Sequence, residues 1–283
     1  MCTFFMNRCL ITISSVYQRH PFHLVDYSPW PFIASLAAFS LTASGVVYMH
    51  GFKQGELSLF ISFFFLLCVM FVWWRDVIRE SVFEGHHTSM VQQGLRFGVI
   101  LFIISEILFF FGFFWAFFYS SCEPALAIGA VWPPRGILSI NTWKVPFLNT
   151  LILLSSGFTV TWAHHSLVSR NRTQSIIGLV LTIFYAVLFT YTQMLEYYTT
   201  EFRLSDSVYG TVFFMTTGFH GFHVLIGTIF LSICLARLIK YHFTWQHHFG
   251  FEAAIWYWHF VDVVWLFLFV SIYWWGDYPQ NVF

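Results

Sequence analysis

The sequence has few charged residues. Asp, Glu, Lys and Arg together make up 9% of its 283 residues, whereas soluble domains contain about 25%. Hydrophobic residues account for 58%. This composition excludes a soluble globular domain and predicts a protein that crosses a membrane several times. The 13 basic and 13 acidic residues balance, and no basic tract suggests nucleic acid as a partner.

Motifs for catalysis and for metal binding are also absent. We find no phosphate-binding glycine loop, no nucleophile elbow and no zinc-protease motif. The five cysteines show no Cys-x-x-Cys and no metal-like spacing, which predicts free thiols. None of the eight prolines falls in the middle of an apolar run, which disfavours a transporter built on broken helices. The sequence alone therefore indicates no catalytic centre.

Seven apolar segments fill most of the chain, and each is long enough to span a hydrocarbon core as a helix. The fold class is therefore an all-α polytopic membrane protein with seven transmembrane helices. We expect a tail over residues 1–29, a transmembrane domain over 30–275 and a second tail over 276–283. The seven segments are approximately 31–50, 56–74, 95–121, 146–163, 175–195, 208–236 and 251–275.

An odd number of spans puts the two termini on opposite sides of the membrane. Nine of the 13 basic residues would lie on the N-terminal side, so the positive-inside rule predicts that this side faces the matrix or cytoplasm. Residues 1–18 have a weak likeness to an organelle-targeting segment. The preferred interpretation is an ordinary short tail.

The third span contains one charged residue in its middle. Glu106 is the only charged residue between Arg96 and Glu123, and it lies about 15 Å along the helix from Arg96. A charged group at the centre of a bilayer costs about 2.5 kcal/mol or more. Two interpretations stay open: a carboxyl linked to protons or lipid, or a neutral acid hydrogen-bonded between helices.

Histidine is abundant, and nine of the 13 copies fall on the predicted inner side, against only His50 on the outer side. Imidazole titrates near neutral pH, so this surface could collect protons, and it could also hydrogen-bond lipid phosphates. A metal site is disfavoured because adjacent histidines on a helix diverge by about 100°, and we predict none. The proton-collecting surface is assigned to His20, His23, His86, His164, His165, His247 and His248.

Two further pairs, one of two histidines and one of a histidine with an aspartate, lie inside spans. His220 and His223 share one helix face, as do His259 and Asp262. Haem ligation would need histidines spaced along two helices, and no such ladder is present. The preferred interpretation is that these side chains are hydrogen-bonded between helices, with His259 and Asp262 forming an intramembrane polar pair.

Basic residues cluster at the ends of the second and sixth spans. Arg75 and Arg79 follow Trp73 and Trp74 directly, and guanidinium groups beside a tryptophan belt suit an anionic lipid phosphate. The alternative is ordinary positive-inside charge with internal salt bridges. The positions assigned to lipid headgroups are Trp74, Arg79, His87, Arg96, Arg237, Lys240 and His242.

Three motifs of the chain are distinctive: Trp-Trp-Arg-Asp-Val-Ile-Arg-Glu-Ser at 73–81, Gly-Phe-His-Gly-Phe-His-Val at 218–224 and Trp-Tyr-Trp-His-Phe-Val-Asp-Val-Val-Trp at 256–265. They resemble cytochrome c oxidase subunit III, most closely its mitochondrial forms. The resemblance extends over about residues 17–275. Further matching stretches lie at 84–88, 101–106, 113–117, 162–166 and 247–253.

The resemblance implies a seven-helix core subunit of the oxidase in the mitochondrial inner membrane, with its N-terminus in the matrix and its C-terminus in the intermembrane space. It implies that the first two helices splay from a five-helix bundle and leave a cleft filled with phospholipids. It places Glu106 at the family's carbodiimide-reactive carboxyl. A subunit of this kind supports proton uptake and protects the active site during turnover.

The resemblance also implies the cofactors and partners. This chain would hold structural phospholipids but no haem or copper, because haem a and copper belong to partner subunits I and II. Small accessory subunits and a respiratory supercomplex are further expected partners. One alternative is a self-sufficient proton-coupled transporter that uses Glu106, His259 and Asp262, and another is a haem-binding quinol-type cytochrome.

Overall fold

The structure is a computed structural model that describes residues 20–276. The terminal stretches 1–19 and 277–283, with Cys2, Cys9 and the expected targeting segment, lie outside the described residues. Between residues 20 and 276 the chain forms seven long helices and no strand, which confirms the predicted fold class. The helices are α1 Trp30–Met49, α2 Gly55–Val82, α3 Ser89–Cys122, α4 Val145–Val168, α5 Arg172–Thr199, α6 Val208–Ile239 and α7 Phe249–Leu268.

All seven helices are long and apolar enough to cross a membrane. Several extend past the apolar runs, because charged residues such as Arg and Glu are themselves good helix formers. The clearest example is α2, which continues past Trp74 to Val82. Its last turns therefore hold charged side chains beyond the apolar part of the helix.

The first compact unit comprises the described residues up to Leu95, in which α1 packs against α2. The indole of Trp30 donates to Oδ2 of Asp76 over 2.8 Å, and this ties the start of α1 to the end of α2. At the other end, a Cβ added to Gly55 would lie 2.8 Å from Cα of Tyr48. Only glycine lets α2 begin so close to α1.

The second compact unit runs from Arg96 onward, and α7 is the most deeply buried of its helices. Trp258 and Trp265 are almost completely buried. Their indole N–H groups donate to Oγ of Ser156 over 2.9 Å and to Oγ1 of Thr150 over 3.0 Å. These bonds satisfy the polar atoms of two large side chains and hold α7 against α4.

Glycine permits close helix contacts in the second unit. A Cβ on Gly227 of α6 would lie 2.9 Å from the ring of Trp258, and one on Gly178 of α5 would lie 3.0 Å from Cβ of Ala163. Small residues at such crossings let helices approach closely, and the resulting van der Waals packing helps to drive helix association in lipid.

A π-helical turn over Phe269–Trp275 continues α7. The hydroxyl of Tyr273 in this turn donates to Oε1 of Glu196 over 2.6 Å, and the amide of Gln193 donates to the same oxygen over 3.1 Å. Glu196 is 2% exposed, so this acid of α5 is buried in a hydrogen-bonded network. The sequence analysis did not single it out, because Tyr273 lies 77 residues away.

Candidate functional site

The intramembrane carboxyl of α3 is paired with a histidine of α6. Oε2 of Glu106 lies 2.9 Å from Nε2 of His223, and the two side chains are 21% and 8% exposed. The sequence analysis placed His223 on a helix face with His220 and did not connect it with Glu106. No local pattern links the two residues, which are 117 positions apart.

The hydrogen bond of the other ring nitrogen of His223 determines how many protons this pair holds. Nδ1 lies 2.6 Å from the carbonyl oxygen of Phe219, and since a carbonyl only accepts, Nδ1 carries a proton. One further proton must then lie between Nε2 and Glu106. The pair is either neutral imidazole with protonated acid or imidazolium with carboxylate, and its net charge is zero in both cases.

Aromatic rings surround the histidine of the pair. Phe110 meets the His223 ring edge-on at a centroid distance of 5.0 Å, Tyr257 stacks on it at 6.4 Å, and Phe260 lies 6.2 Å away. Apolar surroundings of this kind strengthen a hydrogen bond and raise the cost of leaving the imidazole unpaired. Glu106 is therefore held in the membrane by a specific partner.

The second intramembrane pair, His259 and Asp262 of α7, is more loosely built. Nδ1 of His259 lies 3.7 Å from Oδ2 of Asp262, too far for a hydrogen bond. Nε2 lies 3.2 Å from Oγ1 of Thr161, which itself donates to the carbonyl of Gly157 over 2.9 Å. Because that hydroxyl proton is used, Nε2 must be the donor, and the Nδ1 lone pair of a neutral ring faces the acid.

Asp262 lies in a tight position between α7 and α4. It is 7% exposed, and its Oδ1 has no hydrogen-bond partner among residues 20–276. A Cβ on Gly157 would lie 2.8 Å from its Oδ2. A glycine at this point of α4 therefore makes room for the carboxyl group.

At one end of the second unit, four side chains form a bonded chain. Arg96 donates from Nε to Oε2 of Glu252 over 2.9 Å, Oε1 of Glu252 lies 3.4 Å from Nε2 of His248, and that nitrogen lies 3.2 Å from Nε2 of His164. The structure thus joins two predicted proton-collecting histidines to a predicted lipid-binding arginine. The sequence analysis did not assign Glu252 to any site, although it follows His248 at the i,i+4 spacing of helix neighbours.

Two other histidines of this end are exposed. The ring of His165 lies 6.1 Å from that of His164, and His247 precedes α7. These two side chains are therefore more accessible to solvent than His248.

Arg237, Lys240 and His242 form a cationic cluster at the end of α6. The guanidinium of Arg237 lies over the ring of Phe243 at 4.3 Å, and its Nε has no hydrogen-bond partner within residues 20–276. The pKa of His242 is lowered by partial burial and then by the positive charges of Arg237 and Lys240. A bound anion would compensate this excess of positive charge.

In the first unit, the structure collects histidines from two segments. The rings of His23 and His86 stack at 4.7 Å with an angle of 10° between their planes, and the ring of His87 lies 6.2 Å from that of His23. His20 is exposed beside Phe22.

Two of the residues assigned to lipid headgroups, Trp74 and Arg79, are exposed on α2. The neighbouring Arg75 is instead paired with Asp76 at 2.9 Å. Of the two guanidinium groups near the tryptophan belt, only that of Arg79 is therefore without an ion pair in the described part of the chain.

Comparison with known proteins gives one family. The family model of cytochrome c oxidase subunit III matches residues 20–277. A protein named cytochrome c oxidase subunit 3 from Chondrus crispus is 69% identical over 94% of this chain and 98% of its own length. Relatives of the same name from Prototheca wickerhamii and Arabidopsis thaliana are 61% and 60% identical over 92% of this chain.

Proposed function

We propose that this chain, which belongs to the cytochrome c oxidase subunit III family and is a core subunit of that oxidase, serves the complex by binding phospholipids and by supporting proton uptake. The chain matches its relatives over 92% of its length or more, which supports the family's role for the whole chain. The alternatives of a self-sufficient transporter and of a quinol-type cytochrome have no support.

The bonded chain of Arg96, Glu252, His248 and His164 is the observation that carries the proton-uptake proposal. A hydrogen bond of 2.9 Å joins Arg96 to Glu252, and a charge contact of 3.4 Å brings Glu252 to His248. The ring nitrogens of His248 and His164 lie 3.2 Å apart. Histidine exchanges protons near neutral pH, so a proton that reaches His164 from the exposed surface can be shared along the chain. We place this end of the bundle in the matrix, on the side of the N-terminus.

The complex oxidises cytochrome c and reduces oxygen to water with coupled proton pumping. We propose that haem a and copper lie in subunits I and II, that this chain has no catalytic centre, and that small accessory subunits and a respiratory supercomplex complete its partners. The setting is the mitochondrial inner membrane. The lipid-filled cleft beside the first two helices stays a prediction.

Replacing the histidines tests the proton-uptake proposal. We expect H164F and H248F, separately and together, to slow proton uptake by the purified oxidase in time-resolved measurements with a pH dye. His50 is an exposed histidine on the predicted outer side, so H50F is the matched control and should leave the rate unchanged. Unchanged kinetics in the double variant would reject the proposal.

Lipid binding is tested separately at the cationic cluster. The Nε of Arg237 has no hydrogen-bond partner in the described part of the chain, and its neighbour Lys240 is also positively charged. R237Q should therefore reduce the number of anionic phospholipids that co-purify with the complex. Mass spectrometry of the extracted lipids measures this number. Arg135, an exposed arginine outside the helices, supplies the control R135Q. Equal lipid content in both variants would contradict the assignment.

A further inference from the structure

Three metal-ligating side chains from separate segments converge in the first unit. One ligand atom each from His23, Glu80 and His87 lies within 4.8 Å of the other two. All three side chains are partly buried. His23 precedes α1, Glu80 lies in the last turn of α2, and His87 lies in the connection from α2 to α3.

The backbone conformation after α2 brings these side chains together. Gly85 has a positive φ of 71°, and the turn it makes lets the amide of His86 donate to the carbonyl of Glu80 over 3.1 Å. Glycine adopts such a φ without steric cost. The turn thereby brings the residues after α2 back beside Glu80.

Further contacts fix the segment that carries His23. The hydroxyl of Thr88 donates to the carbonyl of Pro21, and the ring of His23 stacks on that of His86. His86 itself lies 3.5 Å from the carboxylate of Glu84. His86 thus packs against His23 and contacts another acid, and it is the ring of His87 that supplies a ligand atom to the cluster.

The carboxylate of Glu80 has no ion pair within the described part of the chain, although Arg79 is adjacent. Its charge is therefore available to a cation. A second set of three ligands, His164, His248 and Glu252, also lies within 4.8 Å. In that set the glutamate is already neutralised by Arg96 at 2.9 Å, so the first set is the better cation site.

We propose that His23, Glu80 and His87 bind a divalent cation of the Zn²⁺ class. Two imidazoles and a carboxylate suit such ions, and three protein ligands leave a fourth position for water. Bond lengths of about 2.1 Å place tetrahedral ligand atoms about 3.4 Å apart. Since the ligand atoms lie within 4.8 Å of one another, side-chain rotation has to shorten any separation by about 1.4 Å at most. The bound cation ties the segment before α1 to the α2–α3 connection.

The proposed site does not require two adjacent histidines to bind one ion, which their divergence on a helix disfavours. Only one member of the His86 and His87 pair supplies a ligand, and the other histidine comes from 64 positions earlier in the sequence than His87. The sequence could not reveal the set, because no short motif contains all three residues.

Zinc titration of the purified oxidase tests the proposal. After treatment with a chelator, Zn²⁺ binding is measured by calorimetry for the unaltered complex and for H23A, E80Q and H87A. Each variant should weaken the same single site by more than about tenfold, since even changes outside the ligand shell cost 10–100-fold. Anomalous X-ray scattering at the zinc edge should place that ion between the three side chains.

Two controls make the result specific. H86F keeps the ring stacked on His23 but removes its nitrogens, and it should bind zinc as the unaltered complex does. H164A tests the second set and should not affect zinc binding at the site of His23, Glu80 and His87.

E80Q preserves the size of the side chain, and an unchanged haem spectrum with full subunit content shows that the complex is intact.

Three outcomes overturn the proposal. The first is identical isotherms for the unaltered complex and the three ligand variants. The second is a loss of zinc that follows H164A instead of the ligand variants. The third is a loss of bound phospholipid with zinc binding unchanged, which identifies the cluster as a lipid headgroup site.

Discussion

Breaking the pair of Glu106 and His223 should destabilise the subunit in a way that reveals their shared proton. In E106A, Nε2 of a histidine that is 8% exposed loses its partner, at a cost of about 1–3 kcal/mol. In H223A, a carboxyl in hydrocarbon loses its partner, at a cost of about 2.5 kcal/mol or more if it stays charged. The E106A/H223A double variant removes both polar groups, so its cost should be smaller than the sum of the two.

The assay is a double-mutant cycle on the assembled oxidase. Retention of the subunit is followed by quantitative native gels during detergent and heat challenge, and the coupling between the two sites should be about 1–3 kcal/mol. E106Q should cost less than E106A, because its amide can donate to Nε2 of a neutral ring. Glu123 is exposed, so E123Q serves as the control. Effects that add within about 0.5 kcal/mol would refute the reasoning.

Three further predictions concern other parts of the chain. The pKa of His242 is lowered in the folded protein, so as pH falls His242 binds a proton in the unfolded chain before it does so in the folded one. The stability of the protein therefore falls as pH drops below about 6.5. H242Q should flatten this pH dependence, measured by thermal unfolding between pH 7.5 and 5. G157A places a Cβ 2.8 Å from a buried carboxyl oxygen and should cost about 1–3 kcal/mol, whereas G218A, with open space around its Cβ, should cost less in the same unfolding assay. Y273F removes a donor from a buried glutamate and should cost about 1–3 kcal/mol, while Y198F, at an exposed tyrosine, is its control; equal unfolding temperatures for the two would contradict the network.

The sequence predicted the seven helices because their cause is local. Hydrocarbon thickness sets the length of a span, and a backbone in lipid must satisfy its own hydrogen bonds, so apolar runs of sufficient length become helices. The helices themselves extend past these runs, as α2 does to Val82, because charged residues continue a helix after the apolar run stops. The position of Glu106 along α3, about 15 Å from Arg96, also followed from the sequence, because rise per residue is constant within a helix.

Only the tertiary structure decided which side chains meet. Helical periodicity tells which residues share a face, but it does not say which helix lies opposite. His223 as the partner of Glu106, Tyr273 as the partner of Glu196, and the approach of His23 to α2 all depend on contacts between segments far apart in sequence. Those contacts arise from packing around small residues and from the need of buried polar atoms for partners, and both are properties of the assembled helices.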